Sequence, residues 1–310
     1  MSNLRISLFG KFQVESHGKP LSNGFDSRKV QELFSYLLAY RDRSHPRETL
    51  ADLLWGDNSS IQARKYLRQA LWQLQSALKS ESEENSCEVL IVDPEWVSIN
   101  QDADFWLDLA VFEDAYADVQ GKPGNELSPQ HAQALREAVQ LYTNGLLVGW
   151  YHDWCIFERE RLQNMYLAML NKLMIYSESC EEYETALLYG QRILQCDRAH
   201  ERSHRQIMRL HYLAGDRTSA LRQYERCVEA LREELGVEPA QLTIQLYEQI
   251  RTDELQEPLL VNPRLNEETA SPSRAEASTY LESLETLLAQ VNAQMHQYMK
   301  ALELASSDRT

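Results

Sequence analysis

The sequence predicts a mostly α-helical protein with a small α+β module at its N-terminus. Hydrophobic and polar residues alternate over residues 3–22, with glycine and proline between the runs, which predicts short antiparallel strands. From Ser27 the apolar spacing changes to the three-and-four pattern of amphipathic helices, and from 102 to 251 that pattern is almost continuous. The composition, 43% hydrophobic and 25% charged, is typical of a folded globular protein and excludes a fibrous or wholly disordered chain.

Three helices and a hairpin are expected after the first strands. The spacing predicts helices over about 27–40, 46–56 and 59–79, and only about four residues, 56–59, join the second helix to the third. Alternating residues over 89–99 predict a β-hairpin. Short strands, three helices and a final hairpin are typical of a winged helix-turn-helix of the OmpR/PhoB type.

The helical body contains one internal repeat. Thr185-Ala186-Leu187 aligns with Ser219-Ala220-Leu221 at an offset of 34, and Arg192 aligns with Arg226. A helical period of 34 residues is the signature of tetratricopeptide stacking, and a chance similarity of two amphipathic helices is the alternative. We therefore expect a winged helix-turn-helix over 1–100, a tetratricopeptide-like helical domain over 101–255, a linker over 256–273 and an amphipathic heptad helix over 274–306.

The third predicted helix carries a basic face without acidic residues. On an ideal helix one side is apolar and faces inward: Ala63, Leu67, Ala70, Leu71, Leu74 and Leu78. The other side and its edges carry Arg64, Lys65, Arg68, Gln69, Trp72 and Gln73. Arginine and glutamine can read guanine and adenine in the major groove, whereas lysine more often contacts phosphate. A solvated surface is the alternative, and Trp72 either packs under the hairpin or reaches DNA.

Two further cations lie in the first turn of the first helix. Arg28 and Lys29 oppose the helix dipole there, a conflict that a phosphate contact offsets. Residues 1–80 hold 12 Lys and Arg against 7 Asp and Glu, although the whole chain has a net charge of −16. The charge of residues 1–80 therefore favours contact with DNA, while the acidic remainder of the chain favours contact with protein. The candidate DNA-binding residues are Arg28, Lys29, Arg64, Lys65, Arg68, Gln69, Trp72 and Gln73.

Other kinds of site have little support. The five cysteines are scattered and form no CxxC pair, and His200 and His204 have no evident further metal ligand. No Walker A, GxGxxG or GxSxG sequence is present. We expect no catalytic residue, cofactor or metal, and no enzyme activity. No apolar run is long enough for a signal peptide or a membrane span, so a cytoplasmic protein is expected.

The last predicted helix has an unbroken heptad seam. Its apolar residues are spaced by three and four in alternation: Leu281, Leu284, Leu288, Val291, Met295, Tyr298 and Leu302. Such a stripe needs an apolar partner. Self-association into a homo-oligomer is the prediction, and docking on the protein's own helical body is the alternative.

Several segments resemble a known family. DRAHERSHRQIMRL at 197–210 and LREELGVEP at 231–239 closely resemble the bacterial transcriptional activation domain (BTAD), which follows a winged helix in SARP-type regulators. The N-terminal module matches at Ser27-Arg28-Lys29 and Leu53-Leu54-Trp55. The resemblance covers about residues 3–252. It departs from the family at Pro46 and Arg198, and no nucleotide-binding ATPase follows the body.

The resemblance implies a sequence-specific activator of transcription. Relatives in this family bind direct repeats upstream of promoters, recruit RNA polymerase and assemble side by side on DNA. Two other functions stay open: a protein-interaction scaffold that does not bind DNA, and a DNA-binding repressor.

Overall fold

The computed structural model of the protein describes residues 4–21, 24–79 and 88–255. The strands are β1 (Leu4–Ser7), β2 (Gln13–Ser16), β3 (Lys19–Pro20), β4 (His45–Pro46), β5 (Leu90–Val92), β6 (Trp96–Ile99) and β7 (Phe105–Leu107). The helices are α1 (Arg28–Ala39), α2 (Arg47–Trp55), α3 (Ser60–Lys79), α4 (Asp108–Ala117), α5 (Pro129–Leu141), α6 (Asp153–Ser179), α7 (Tyr183–Cys196), α8 (Glu201–Leu213), α9 (Arg217–Leu235) and α10 (Gln241–Thr252), with a short 3-10 helix at Gly124–Glu126. The predicted fold class, mostly α with an N-terminal α+β module, is confirmed.

The first sheet has the strand order β3-β2-β1-β7. β1 is antiparallel to β2, with Leu4 opposite Ser16, as predicted for residues 3–22. β7 lies on the other side of β1 and runs parallel to it, with Leu4 opposite Phe105. The prediction of almost continuous helix from residue 102 is wrong at this point. A three-residue strand is too short to show a period, and only its distant partner β1 fixes its conformation.

Helices α1, α2 and α3 pack with the second sheet, whose strand order is β4-β6-β5. The predicted hairpin is present as β5 and β6, and the amide of Asp93 donates to the carbonyl of Trp96 at 2.9 Å to close its turn. The core beneath is apolar and fully buried: Val30, Phe34, Leu37, Leu50, Leu67, Leu74 and Val97. This arrangement is the predicted winged helix-turn-helix, in which β5 and β6 are the wing.

The helices of the C-terminal part stack on one another in sequence order. α6 packs on α7, α7 on α8, and α8 on α9, and α7 and α9 begin 34 residues apart, as the repeat predicts. Ala186 and Ala220 are fully buried, since they lie where neighbouring helices touch. A Cβ atom at Gly190 would lie 2.6 Å from Cγ1 of Ile207, so α7 and α8 approach each other where only glycine fits.

The N-terminal module and the helical body are joined by buried and half-buried polar contacts. The Asp108 carboxylate, at the start of α4, accepts hydrogen bonds from the amides of Leu8 and Phe9, each with one bond of 2.8 Å. The amide of Leu147 donates to the carbonyl of Leu8 at 2.9 Å. Arg41, just after α1, pairs with Glu113 of α4 at 2.7 Å. Residues up to Asp253 accordingly form one compact unit, and the division at residue 100 stays a prediction.

Two predicted segments, the linker over 256–273 and the heptad helix over 274–306, lie outside the described residues. In the part of the chain that the structure describes, no helix is long and apolar enough to cross a membrane.

Candidate nucleic-acid interface

Helix α3 has one buried face and one exposed face. The buried residues include every one that the helical period placed inward, and Ala77 in addition: Ala63, Leu67, Ala70, Leu71, Leu74, Ala77 and Leu78. The alternation of leucine and alanine lets the helix lie close against α1 and α2. The opposite face is therefore held outward by the packing of this helix, and not by its own charges.

The exposed face carries four of the predicted DNA-binding residues: Lys65, Arg68, Gln69 and Trp72. Of these, Lys65 and Arg68 are charged, and neither forms an ion pair with any of the described residues. Trp72 is 68% exposed, so its alternative assignment, packing beneath the wing, is wrong. Gln73 lies beside this face and is half-buried. We call Lys65, Arg68, Gln69 and Trp72 the α3 stripe. Free cations and a flat aromatic ring on one helix face suit a polyanion with stacked bases.

Arg64 stands at the edge of the stripe and has a partner. Its Nη2 lies 2.5 Å from Oε1 of Glu48 on α2, and both side chains are largely exposed. The sequence placed no acidic residue on the outer face of α3, but the fold brings one there from the neighbouring helix. Arg64 is therefore partly neutralised before any ligand binds.

A cleft separates α3 from the wing. Arg64 and Arg68 line its α3 side, and the hairpin residues Pro94, Glu95 and Trp96 line the other. Arg47, at the start of α2, lies in the same cleft; its guanidinium donates to the carbonyl of Asp93 at 3.2 Å and its amide to that of Glu95 at 2.9 Å. Sequence reasoning missed Arg47 because its position beside the wing depends on the pairing of β4 with β6.

Arg28 and Lys29 lie on a different helix from the stripe, in the first turn of α1. Both pair with the buried carboxylate of Glu32, at 3.2 and 2.9 Å, and Nε2 of His152 lies 3.1 Å from the same carboxylate. The guanidinium of Arg28 also lies 5.7 Å from the centre of the Trp150 ring. Burial raises the pKa of Glu32, but hydrogen bonds from Lys29 and His152 outweigh it and hold the pKa below its usual value. The two cations therefore balance a buried acid. Its spacing of three and four residues from them was a signal in the sequence, but its burial was not.

His204 of α8 is held by hydrogen bonds within the fold. His204 is buried, with Nε2 at 2.9 Å from the carbonyl of Arg198 and Nδ1 at 2.8 Å from Nε2 of Gln223. In the described ranges, no group of three or more His, Cys, Asp or Glu residues is arranged to hold a metal ion.

The fold and this surface define a class of protein: a winged helix-turn-helix joined to a helical-repeat domain. Residues 107–251 match the family model of the bacterial transcriptional activator domain. The chain therefore contains this domain, and the resemblance to SARP-type transcriptional regulators is confirmed. The SARP-type family is a family of transcriptional regulators and not of enzymes.

One solved structure with a similar fold is that of Mycobacterium tuberculosis EmbR in complex with a low affinity phosphopeptide. The two chains are 18% identical and superimpose with a TM-score of 0.62, over 83% of this chain and 67% of EmbR. At this identity the likeness shows the fold alone. A comparison with curated protein sequences found no significant match.

Proposed function

We propose that the protein binds double-stranded DNA in a sequence-specific manner through α3 and activates transcription by engaging RNA polymerase. The observation that carries this proposal is the α3 stripe, whose Lys65 and Arg68 are exposed on an acid-free face with no ion pair in the described part of the chain. In a protein with a net charge of −16, a helix that has no acidic residue of its own, and whose Lys65 and Arg68 form no ion pair with any described residue, suits a negatively charged ligand.

The stripe divides into two roles. Arg68 and Gln69 read base edges in the major groove, because guanidinium and amide groups make bidentate bonds with guanine and adenine. Lys65 binds phosphate, as do Arg28 and Lys29 at the start of α1. Because Glu32 balances Arg28 and Lys29, their share of the affinity is smaller than that of Lys65.

The three remaining predicted DNA-binding residues are given smaller roles. Trp72, the last residue of the stripe, is largely exposed and covers the sugar and base edges there. Arg64 contributes once DNA competes with Glu48, and Gln73, half-buried, supports its neighbours.

The acidic remainder of the chain serves protein contacts. Residues 81–310 hold 19 Lys and Arg against 40 Asp and Glu, so this part is repelled by DNA and available to RNA polymerase. The binding of direct repeats upstream of promoters, a cytoplasmic location and the absence of enzyme activity complete the proposal. The likeness to transcriptional regulators supports all three.

A titration against salt tests DNA binding. The full chain is first used to select its preferred duplex from a random-sequence library, and affinity for that duplex is then measured over a range of salt concentrations. Replacement of Lys65 by alanine is expected to weaken binding to every duplex and to reduce the salt slope by about 0.9. Replacement of Arg68 by alanine is expected to cost about 1–3 kcal/mol and to relax one or two positions of the selected sequence.

The matched control is Arg222→Ala, which removes an exposed arginine from the helical body and should change neither quantity. If the full chain shows no salt-dependent binding to any duplex, the scaffold alternative replaces this proposal. In vitro transcription with purified bacterial RNA polymerase and the selected site upstream of a promoter then separates activator from repressor. An increase in transcript supports activation, and a decrease supports repression.

A further inference from the structure

Helix α3 carries a strongly exposed apolar residue near its start. Ile61, in its first turn, is 81% exposed, which leaves almost all of its side chain in water. Ile61, Lys65, Arg68 and Trp72 follow one another at intervals of four, three and four residues, so on a regular helix they fall within an arc of about 60°. Ile61 therefore lies in line with the α3 stripe, one turn before Lys65.

The position of Ile61 determines what it can meet if α3 enters the major groove. In a helix-turn-helix the N-terminal residues of the second helix approach the base edges most closely. The one apolar group that a base pair presents in that groove is the 5-methyl group of thymine. We infer that Ile61 is a specificity-determining residue that contacts a thymine methyl group in the operator, an inference that rests on the proposed binding of DNA by α3.

The spacing along the helix locates this thymine. Seven residues separate Ile61 from Arg68, a rise of about 10 Å along the helix axis. At 3.4 Å per base step this corresponds to about three base pairs. The thymine is therefore expected within about three base pairs of the position that the Arg68→Ala variant relaxes.

Substitution of thymine by deoxyuridine tests the contact, because it removes the methyl group and leaves base pairing unchanged. Each thymine of the selected duplex is replaced in turn, and binding of the full chain is measured. Burial of one methyl group corresponds to about a three- to fivefold change in affinity. One deoxyuridine position is expected to lower wild-type affinity by that factor and to leave the affinity of the Ile61→Ala variant unchanged.

Matched variants isolate the effect. Ile61→Val keeps two methyl groups and should stay sensitive to deoxyuridine at the same position, and Ile156→Ala removes a half-exposed isoleucine from α6 and should behave as wild type. Since Ile61 is exposed, its replacement should leave thermal unfolding unchanged, which circular dichroism checks.

Three outcomes overturn the inference. They are a selected site without thymine near the Arg68 position, an Ile61→Ala variant as sensitive to deoxyuridine as wild type, and an equal loss of affinity on every sequence. If Ile61→Ala binds DNA normally but loses activation in vitro, this residue meets the polymerase instead. If the wild type selects no duplex, the proposed function itself fails and the inference fails with it.

Discussion

At the scale of single residues, Glu48 limits what Arg64 can offer to a ligand, because the two are already paired at 2.5 Å. The Glu48→Gln variant removes the carboxylate and frees this guanidinium at the edge of the α3 stripe. We expect higher affinity for all duplexes and a salt slope steeper by up to about 0.9. The control is Asp52→Asn, which removes an exposed carboxylate from the same helix without freeing a cation of α3. Equal effects of the two variants would show only a long-range effect of charge.

Asp108 accepts buried hydrogen bonds across the junction. Its buried carboxylate accepts hydrogen bonds from the amides of Leu8, Phe9 and Leu109, so the Asp108→Ala variant leaves three buried donors without an acceptor. We expect a loss of about 3–5 kcal/mol in the free energy of unfolding, measured with urea. Asp114→Ala, at an exposed position of the same helix, should change it by less than about 0.5 kcal/mol. A loss below about 1 kcal/mol for Asp108→Ala would contradict this role.

These contacts also mark the limit of what the sequence predicts about single residues. The inward face of α3 is predictable, because its period depends on residues three and four apart. The partners of Asp108 are 99 and 100 residues away in the chain, and Glu48 reaches Arg64 from another helix. No local pattern contains these pairs, so the neutralisation of Arg64 emerges only from the fold. Arg28 and Glu32, in contrast, are four residues apart on one helix, so their spacing is visible in the sequence and only the burial of Glu32 is not.

At the scale of secondary-structure elements, the close approach of α7 and α8 depends on Gly190. Alanine normally stabilises a helix relative to glycine by about 1 kcal/mol, but here its Cβ would lie 2.6 Å from Ile207 and 3.1 Å from Met174. We therefore expect Gly190→Ala to destabilise the protein by about 1–3 kcal/mol in urea unfolding. Gln191→Ala, the next and exposed position, is the control for helix propensity.

The double variant Gly190→Ala with Ile207→Val makes room for the new methyl group, so its loss should be smaller than the sum of the two single losses. Additive losses would indicate that the cost arises elsewhere. The repeat itself is predictable from Ala186 and Ala220, since small residues recur where helices touch. Strand β7 is not, because three residues show no period and their partner β1 lies about a hundred positions earlier.

At the scale of the whole molecule, Glu32 connects the N-terminal module to the helical body through His152, 3.1 Å away. Its pKa in the folded protein lies below the ordinary value of 4.5, so its stabilising effect is present above that value and is lost as the pH falls through the lower one. Glu32→Gln should therefore reduce the free energy of unfolding most above about pH 5 and progressively less below about pH 4. Urea unfolding across this range measures the difference, and a difference independent of pH would contradict the sign.

Because the whole molecule has a negative net charge, a second DNA-binding surface would strengthen its binding to DNA. A single α3 stripe offers few cations, and a protein with a net charge of −16 gains from presenting two stripes to one stretch of DNA. The heptad seam in residues 274–306 predicts how two copies associate, although this segment lies outside the described residues. We therefore propose that the seven seam residues, from Leu281 to Leu302, join copies of the chain.

Deletion of residues 274–310 is expected to lower the oligomeric state and to weaken binding to a duplex with two copies of the selected site. Binding to a duplex with one copy should change much less, because the lost contribution is avidity and not contact with bases. Analytical ultracentrifugation of the full chain and the truncated chain measures association. Leu288→Ser with Val291→Ser should act like the deletion, and Ser283→Ala, outside the seam, should act like wild type. Equal association of the full and truncated chains would contradict self-association, and a loss of stability in the truncated chain would then indicate that the segment docks on its own helical body.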